Sequence, residues 1–460
     1  MLALAVVFGN GPAGADTNSD SRSIPAIAVD ASRLQSEFWV RRLHGPDRVL
    51  MSAASIAEQN SRLLHEDASF HDLSSLPATV PGEMVRAWIS ALSRLPQRPL
   101  WNEDRTPVGD TQRKGLLDSI AVDPIVGDAI PVFGLVVARA DLRTFPTRAR
   151  VFSSSDDTDI DRFQESALFP GTPVAIVHES RDRHWWFVVS PLYSAWIEKS
   201  RVATGSREAV LGQATRMPRI VVTGANVHTV FTPEQPALSG LQLDMGLSLP
   251  LLSEWPASEP VNGQGVSAAY VVQMPLREAD GSLRLLPALV PRGADVAEGA
   301  LPLTATHLLR QAFKFLGERY GWGSSYDTRD CSGFVSEVYR SFGILLPRNS
   351  GDQAMSPALN RTEFDAASSH AARLAAMQTL DVGDLIYIPG HVMLVIGSER
   401  GSPVVIHDSA GVTYRDADGT LVRQVLNGVA VTPFRLMLTD TGEPYLDRIQ
   451  SIVRMRPVQR

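Results

Sequence analysis

Apolar and polar positions divide this chain into stretches of different period. Over 31–110 the apolar residues recur at helical spacing, most clearly Met84, Val85, Trp88, Ile89 and Leu92. This predicts a helical segment, interrupted where Pro96 and Pro99 break the pattern. From about 128 the pattern shortens to runs rich in β-branched and aromatic residues: Val132 to Val137, Val174 to Val177 and Trp185 to Val189, with turn residues between them. Several short strands at this spacing predict a small all-β barrel over 128–203. A second β-rich stretch over 204–298 contains Ala209 to Leu211, Arg219 to Val222, Ala268 to Gln273 and Leu283 to Val290, punctuated by Pro and Gly. It predicts a second small barrel in tandem, without a clean repeat between the two.

The period changes again over 302–457. A helix is predicted from Thr304 to about Leu316, then a loop at Gly321 to Ser325. A second helix follows, with Phe334, Val335, Val338, Tyr339 and Phe342 on one face. Strands are predicted at Asp384 to Ile388, His391 to Ile396 and Val404 to His407. Helices first and antiparallel strands afterwards predict an α+β domain.

Length and charge narrow the picture. The 460 residues suggest two to four domains, and 44% apolar with 20% charged residues is ordinary for a folded chain. A net charge of −7 argues against nucleic acid as a partner, because phosphate contacts need clustered Lys and Arg. Residues 1–16 pair an apolar run with Ala13-Gly14-Ala15, the pattern of a secretory signal, although a basic leading segment is missing. Residues 17–30 read as a polar, Ser-rich lead. No window is apolar enough for a membrane span.

The chain has one cysteine, Cys331, so no intramolecular disulfide forms. A lone thiol is either a small buried apolar residue or a reactive group, and its neighbours must decide. Asp330 suits a helix N-cap, which places Cys331 in the first turn, where free amides and the helix dipole favour an anion. That predicts a lowered thiol pKa and amides able to hold an oxyanion. His391 opens a strand after Pro389-Gly390, and His407 closes the next one. If those strands are antiparallel neighbours, His407 can bond the far nitrogen of His391 and fix its tautomer. No His-Glu-x-x-His and no zinc-ligand spacing occur, so no metal or cofactor is expected.

The segment Tyr320 to Phe334, with Asp330-Cys331-Ser332-Gly333-Phe334, then Leu346-Pro347-Arg348, Gln353, Gly383-Asp384-Leu385, His391-Val392 and His407, resembles the NlpC-type papain-like peptidases of bacterial cell walls. The resemblance covers about the last third of the chain. It implies a papain-like fold, a Cys331-His391-His407 triad and hydrolysis of the γ-D-glutamyl bond to diaminopimelate or lysine in peptidoglycan stem peptides or muropeptides. It implies substrate contacts from Asp330, Ser332, Trp322 and Arg348. It also implies a tyrosine near the oxyanion, for which Tyr320 is preferred over Tyr326. Arg329 departs from the apolar or aromatic residue common in that family, and Met355 to Leu380 is longer than in compact members.

The upstream region resembles members with a helical segment and two bacterial SH3-like barrels, on the stretch Ala140 to Thr147. In that group the first barrel narrows the cleft and selects stems with a free N-terminal L-Ala. Location in the periplasm or cell envelope of a bacterium follows from the same resemblance. Trp185, Trp186, Tyr193 and Trp196 are expected to fill a barrel core rather than form a binding face. Two other readings stand beside the peptidase: an amidase or acyltransferase using the same thioester chemistry, and a non-catalytic cell-wall-binding protein.

Overall fold

The computed structural model describes residue 27 and residues 29–456; the signal-like segment 1–16 and the start of the polar lead lie outside them. The predicted helical segment over 31–110 is present but does not form a unit of its own. Helices α1 (Ser36–Val40) and α2 (Ala53–Glu66) give Trp39, Ile56 and Leu63 to the core of the C-terminal domain. Ser52 caps α2 by accepting from the Ser55 amide at 3.1 Å. Before α2, strand Val49–Met51 pairs antiparallel with Leu303–Thr304, tying the start of the chain to the entrance of the last domain. Helices α3 (Gly82–Leu92) and α4 (Asp110–Ser119) instead join the barrel core through Val85, Ile89 and Leu116. Met84, expected on the apolar face of α3, is 45% exposed; Val85 and Ile89, four apart, are the positions that point inward.

The first barrel is a seven-stranded antiparallel sheet. Its order is Val202–Gly205, Val132–Val136, Pro173–Glu179, Trp185–Val189, Ser194–Glu198, Ala140–Arg143 and Gln164–Leu168. Alternation along Trp185–Val189 explains the aromatic content: Trp185, Phe187 and Val189 enter one core and Val188 the other. Trp185 and Trp196 are buried as core residues, while Trp186 and Tyr193 are half-buried.

The expected second barrel is corrected in part. Ala209 to Leu211 is not a strand but lies in helix α5 (Arg207–Thr215), capped by Ser206. Its buried residues Val210 and Gln213 are three apart, a helical spacing that a three-residue apolar run is too short to reveal. Val210 packs into the core of the first barrel. The remaining residues form three small sheets: Ser248–Pro250, Arg219–Val222 and Val296–Glu298; Asn226–His228 with Gln242–Asp244; and the long hairpin Ala269–Arg277 with Leu283–Pro291. They enclose a core of their own that includes Ile220, Val222, Leu249, Met274 and Val290.

The C-terminal domain has the expected α+β order. Thr304 caps α6 (Ala305–Phe313), accepting from the His307 amide at 3.1 Å. Helix α7 (Cys331–Arg340) buries Phe334, Val335, Val338 and Tyr339, with Phe342 just beyond its end, against a six-stranded antiparallel sheet. The sheet order is Arg361–Glu363, Ser451–Val453, Leu385–Ile388, His391–Glu399, Ser402–Arg415 and Leu421–Pro433. The longer stretch from Met355 to Leu380 supplies the edge strand Arg361–Glu363 and helix α9 (His370–Met377), after the short α8 (Ser350–Met355). The other face of the sheet is covered by Phe434, Met437 and Tyr414. Among the described residues no helix is long and apolar enough to cross a membrane.

Candidate active site

Helix α7 starts where its cap allows. Asp330 is extended (φ −97°, ψ −177°), and its Oδ1 accepts from the Gly333 amide at 2.8 Å. The same carboxylate accepts from the Gly323 amide at 3.1 Å and from the Ser332 hydroxyl at 3.0 Å. Arg348 donates to both its oxygens, at 3.1 and 2.7 Å. Arg348 also donates to Ser332 Oγ at 2.9 Å and, through Nε, to Ser166 Oγ of the first barrel at 2.6 Å. Asp330, Ser332 and Arg348 thus form one buried cluster at the helix start, and the guanidinium holds the Asp330 carboxyl below its usual range against the effect of burial. Gln353, bonded to Pro347 O at 2.8 Å and Ser336 Oγ at 3.0 Å, pins the turn that presents Arg348.

Cys331 follows the cap, 6% exposed, with the Val392 backbone N–H directed at its sulfur. The thiol therefore lies one residue from His391. Nε2 of His391 is 2.7 Å from Nδ1 of His407, and Nε2 of His407 is 3.0 Å from Thr432 Oγ1. Thr432 in turn donates to Met437 Sδ at 3.4 Å. A thioether only accepts, so the Thr432 proton points to the sulfur and its oxygen accepts from His407 Nε2–H. His407 Nδ1 then accepts from His391 Nε2–H, which leaves the His391 Nδ1 lone pair free. Sequence reading missed Thr432: a threonine within a strand carries no signal of the cross-sheet partner that register gives it.

The electrostatics correct one expectation. Helix-start amides favour an ionised thiol, but burial and the neighbouring Asp330 charge outweigh them and push Cys331 up to about 12. Burial also pulls His391 down to about 4, and burial together with the neighbouring His391 lowers His407 well below the usual imidazole value. At neutral pH the thiol and the imidazole are therefore both uncharged. Asp408 was also missed. It is fully buried after His407, both its carboxylate oxygens lack a hydrogen-bond partner, and burial together with the Asp330 charge raises it well above the carboxylate range.

Of the two tyrosines, Tyr320 is buried within the field of Cys331, whereas Tyr326 is 42% exposed and bonds Arg150 at 2.6 Å. Trp322 donates from Nε1 to Gln164 O of the first barrel at 3.1 Å, so its polar edge anchors the barrel. Arg329, the departure from the family pattern, is fully buried, stacks 4.6 Å from the Phe315 ring and pairs with Glu318, Glu337 and Asp244. Its role is to bind the second β unit, which supplies Asp244, to the C-terminal domain. A groove of about 350 Å³ opens beside Tyr320 and His391, with Ser409, Arg423, Asp440 and Arg448 on its walls. Among the described residues no cluster has the composition of a metal site.

Comparison with known proteins fits this geometry. Residues 317–431 match the model of the NlpC/P60 family, and residues 150–198 match that of an SH3 domain of the SH3b1 type. The chain thus contains an NlpC/P60 domain and an SH3 domain. It is 31% identical over 166 residues to a gamma-D-glutamyl-L-lysine dipeptidyl-peptidase of Bacillus cereus, covering 35% of this chain and 43% of that protein. It is 34% identical over 119 residues to a probable endopeptidase p60 of Listeria welshimeri, covering 25% of this chain and 19% of that one. The chain therefore spans less than half the length of these curated relatives. A solved NlpC/P60 endopeptidase from Photobacterium damselae subsp. piscicida shares the fold, with a TM-score of 0.68 at 16% identity over 90% of this chain and 96% of that one.

Proposed function

We propose that this protein is a cysteine-type endopeptidase acting on peptidoglycan stem peptides at the γ-D-glutamyl bond to the diamino acid. The observation that carries the reading is the relay His391–His407–Thr432, which leaves one imidazole nitrogen unbonded, while the next residue, Val392, directs its N–H at the Cys331 sulfur. His391 Nδ1 takes the proton of Cys331 as the sulfur attacks the amide carbonyl. The Cys331 amide at the helix start and the Tyr320 hydroxyl hold the developing oxyanion. The protonated His391 then gives its proton to the leaving amine, and water, activated by the same imidazole, clears the thioester. His407 holds the tautomer that this sequence needs. A neutral resting pair fits proton transfer concerted with attack rather than a standing thiolate.

The second β unit is read as a second SH3-like barrel, and the first barrel as the wall that restricts the cleft to short stems with a free N-terminal L-Ala. Ser166 on Arg348 and Gln164 on Trp322 support this placement. Export to the cell envelope belongs to the same reading, since the substrate is there. Mass spectrometry of products from defined muropeptides tests it. The native chain is expected to release L-Ala-γ-D-Glu, and Cys331→Ala to release nothing while unfolding like the native chain. Turnover by Cys331→Ala would exclude the mechanism; cleavage at a different amide would favour the amidase reading.

A further inference from the structure

Behind the Asp330–Ser332–Arg348 cluster, a larger cavity than the groove at His391, of about 470 Å³, lies where the first barrel, the second β unit and the C-terminal domain meet. Its walls are mainly apolar, with Phe70, Leu168, Phe169, Leu192 and Leu247 prominent. The size and lining are those of small-molecule sites, which bury an apolar body and fix it with few polar groups. Its charged lining residues are Arg219, Arg340 and Arg348, with no carboxylate among them.

Two of these arginines are engaged. Arg219 donates to Ser248 Oγ at 2.7 Å and to Ser248 O at 2.6 Å, and Arg348 is committed to Asp330 and Ser332. Arg340 is different. Among the described residues no side chain or backbone acceptor bonds its guanidinium, which lies half-buried 5.3 Å over the Phe169 ring. The nearby acids Glu337 and Asp244 pair with Arg329 and Arg139 and lie in the field of Arg340, but neither bonds it. Its stem is fixed as well. Gly246 adopts a positive φ of 79°, and a Cβ there would come within 2.5 Å of the Arg340 Cβ, so only glycine lets the arginine pass. A positioned, partly desolvated guanidinium without an anion lacks its best partner, because Arg and carboxylate form paired, charge-assisted hydrogen bonds.

We propose that this cavity binds an aliphatic monocarboxylate, its carboxylate on Arg340 and its chain between Phe169 and Leu247. Such an occupant touches all three units and the C-terminal end of α7, the helix that begins at Cys331, so it fastens the units together.

The test uses the full chain and dodecanoate below its micellar concentration, with calorimetry and thermal unfolding as readouts. Saturable one-to-one binding with a raised Tm is expected. 1-Dodecanol and dodecyltrimethylammonium are expected to bind at least about tenfold more weakly, in keeping with a charge-assisted contact. Arg340→Gln should remove the preference for carboxylate over alcohol. Ala214→Trp, at a half-buried lining position, should fill the cavity and abolish binding without lowering the Tm of the ligand-free chain. Absence of saturable binding by the native chain, equal affinity for acid and alcohol, or an unchanged preference in Arg340→Gln would overturn the proposal.

Discussion

His391 accepts a proton only while its ring is neutral, and burial keeps it neutral down to about pH 4. The acid limb of kcat/KM, which reports the free enzyme, is therefore expected near pH 4, well below the ordinary imidazole value of about 6.5. A pH–rate series on a muropeptide checks this, and a limb at pH 6 to 7 would contradict it. Asp408 makes a second residue-scale prediction. Folding lifts its pKa, so between the ordinary value of about 4 and the raised one the unfolded chain has released a proton that the folded chain still holds. Stability is lost as pH rises through that window. Asp408→Asn removes the loss and is expected to raise stability at pH 7, with the gain fading toward pH 4, as read by urea unfolding at both values.

At the scale of elements, what the sequence disclosed depended on how local the cause was. Helix α7 was legible because its cap, its thiol and its apolar face all lie within a dozen consecutive positions. His391 was legible because it opens a strand after a turn, whereas His407, expected to close the next strand, lies inside Ser402–Arg415, which runs on as the long partner of Leu421–Pro433. Thr432 and Asp408 were not legible, since strand register alone decides what they meet: Val405 pairs with Thr432, and Asp408 with Val429. Helix α5 was misread because its apolar residues suit a strand, and the Ser206 cap and the barrel behind it decide otherwise. The groove is likewise built by distant elements. Helix α9 braces the turn Tyr445–Arg448 through His370 and Asp447, 2.7 Å apart, and that turn brings Arg448 to the wall opposite His391. In this groove Arg423 pairs with Asp440 at 3.1 Å, while Arg448 lies 4.0 Å from Glu443. With Arg448 only loosely paired, a tetrapeptide whose third residue carries an extra carboxylate is expected to be cut about two- to fivefold faster than its lysine counterpart, the worth of one exposed charge pair. Arg448→Gln should narrow that ratio in paired kcat/KM measurements.

Across the whole molecule the units meet at one buried carboxylate. Asp244 of the second β unit receives Arg329 from the catalytic domain and Arg139 from the first barrel, and Arg139 also donates to Thr328 O at 2.6 Å. Arg329→Met leaves Asp244, Glu318 and Glu337 with a buried charge deficit, and breaking such a network is expected to cost about 3–5 kcal/mol. The denaturation midpoint should fall accordingly, whereas a surface change such as Arg41→Met should leave it within about 0.5 kcal/mol.

The docking of Trp39 carries a consequence for how the chain is made. Its indole presses on Gly397 of the His391 strand so closely that a Cβ there would come within 2.6 Å of the ring. Because synthesis runs from the N-terminus, α1 and α2 leave the ribosome long before the sheet that receives them, and their apolar faces stay uncovered until nearly the last residues emerge. Burial of these faces is thus a late step in folding of the nascent chain. A fragment beginning at residue 302 would leave the matching surface bare and tend to clump.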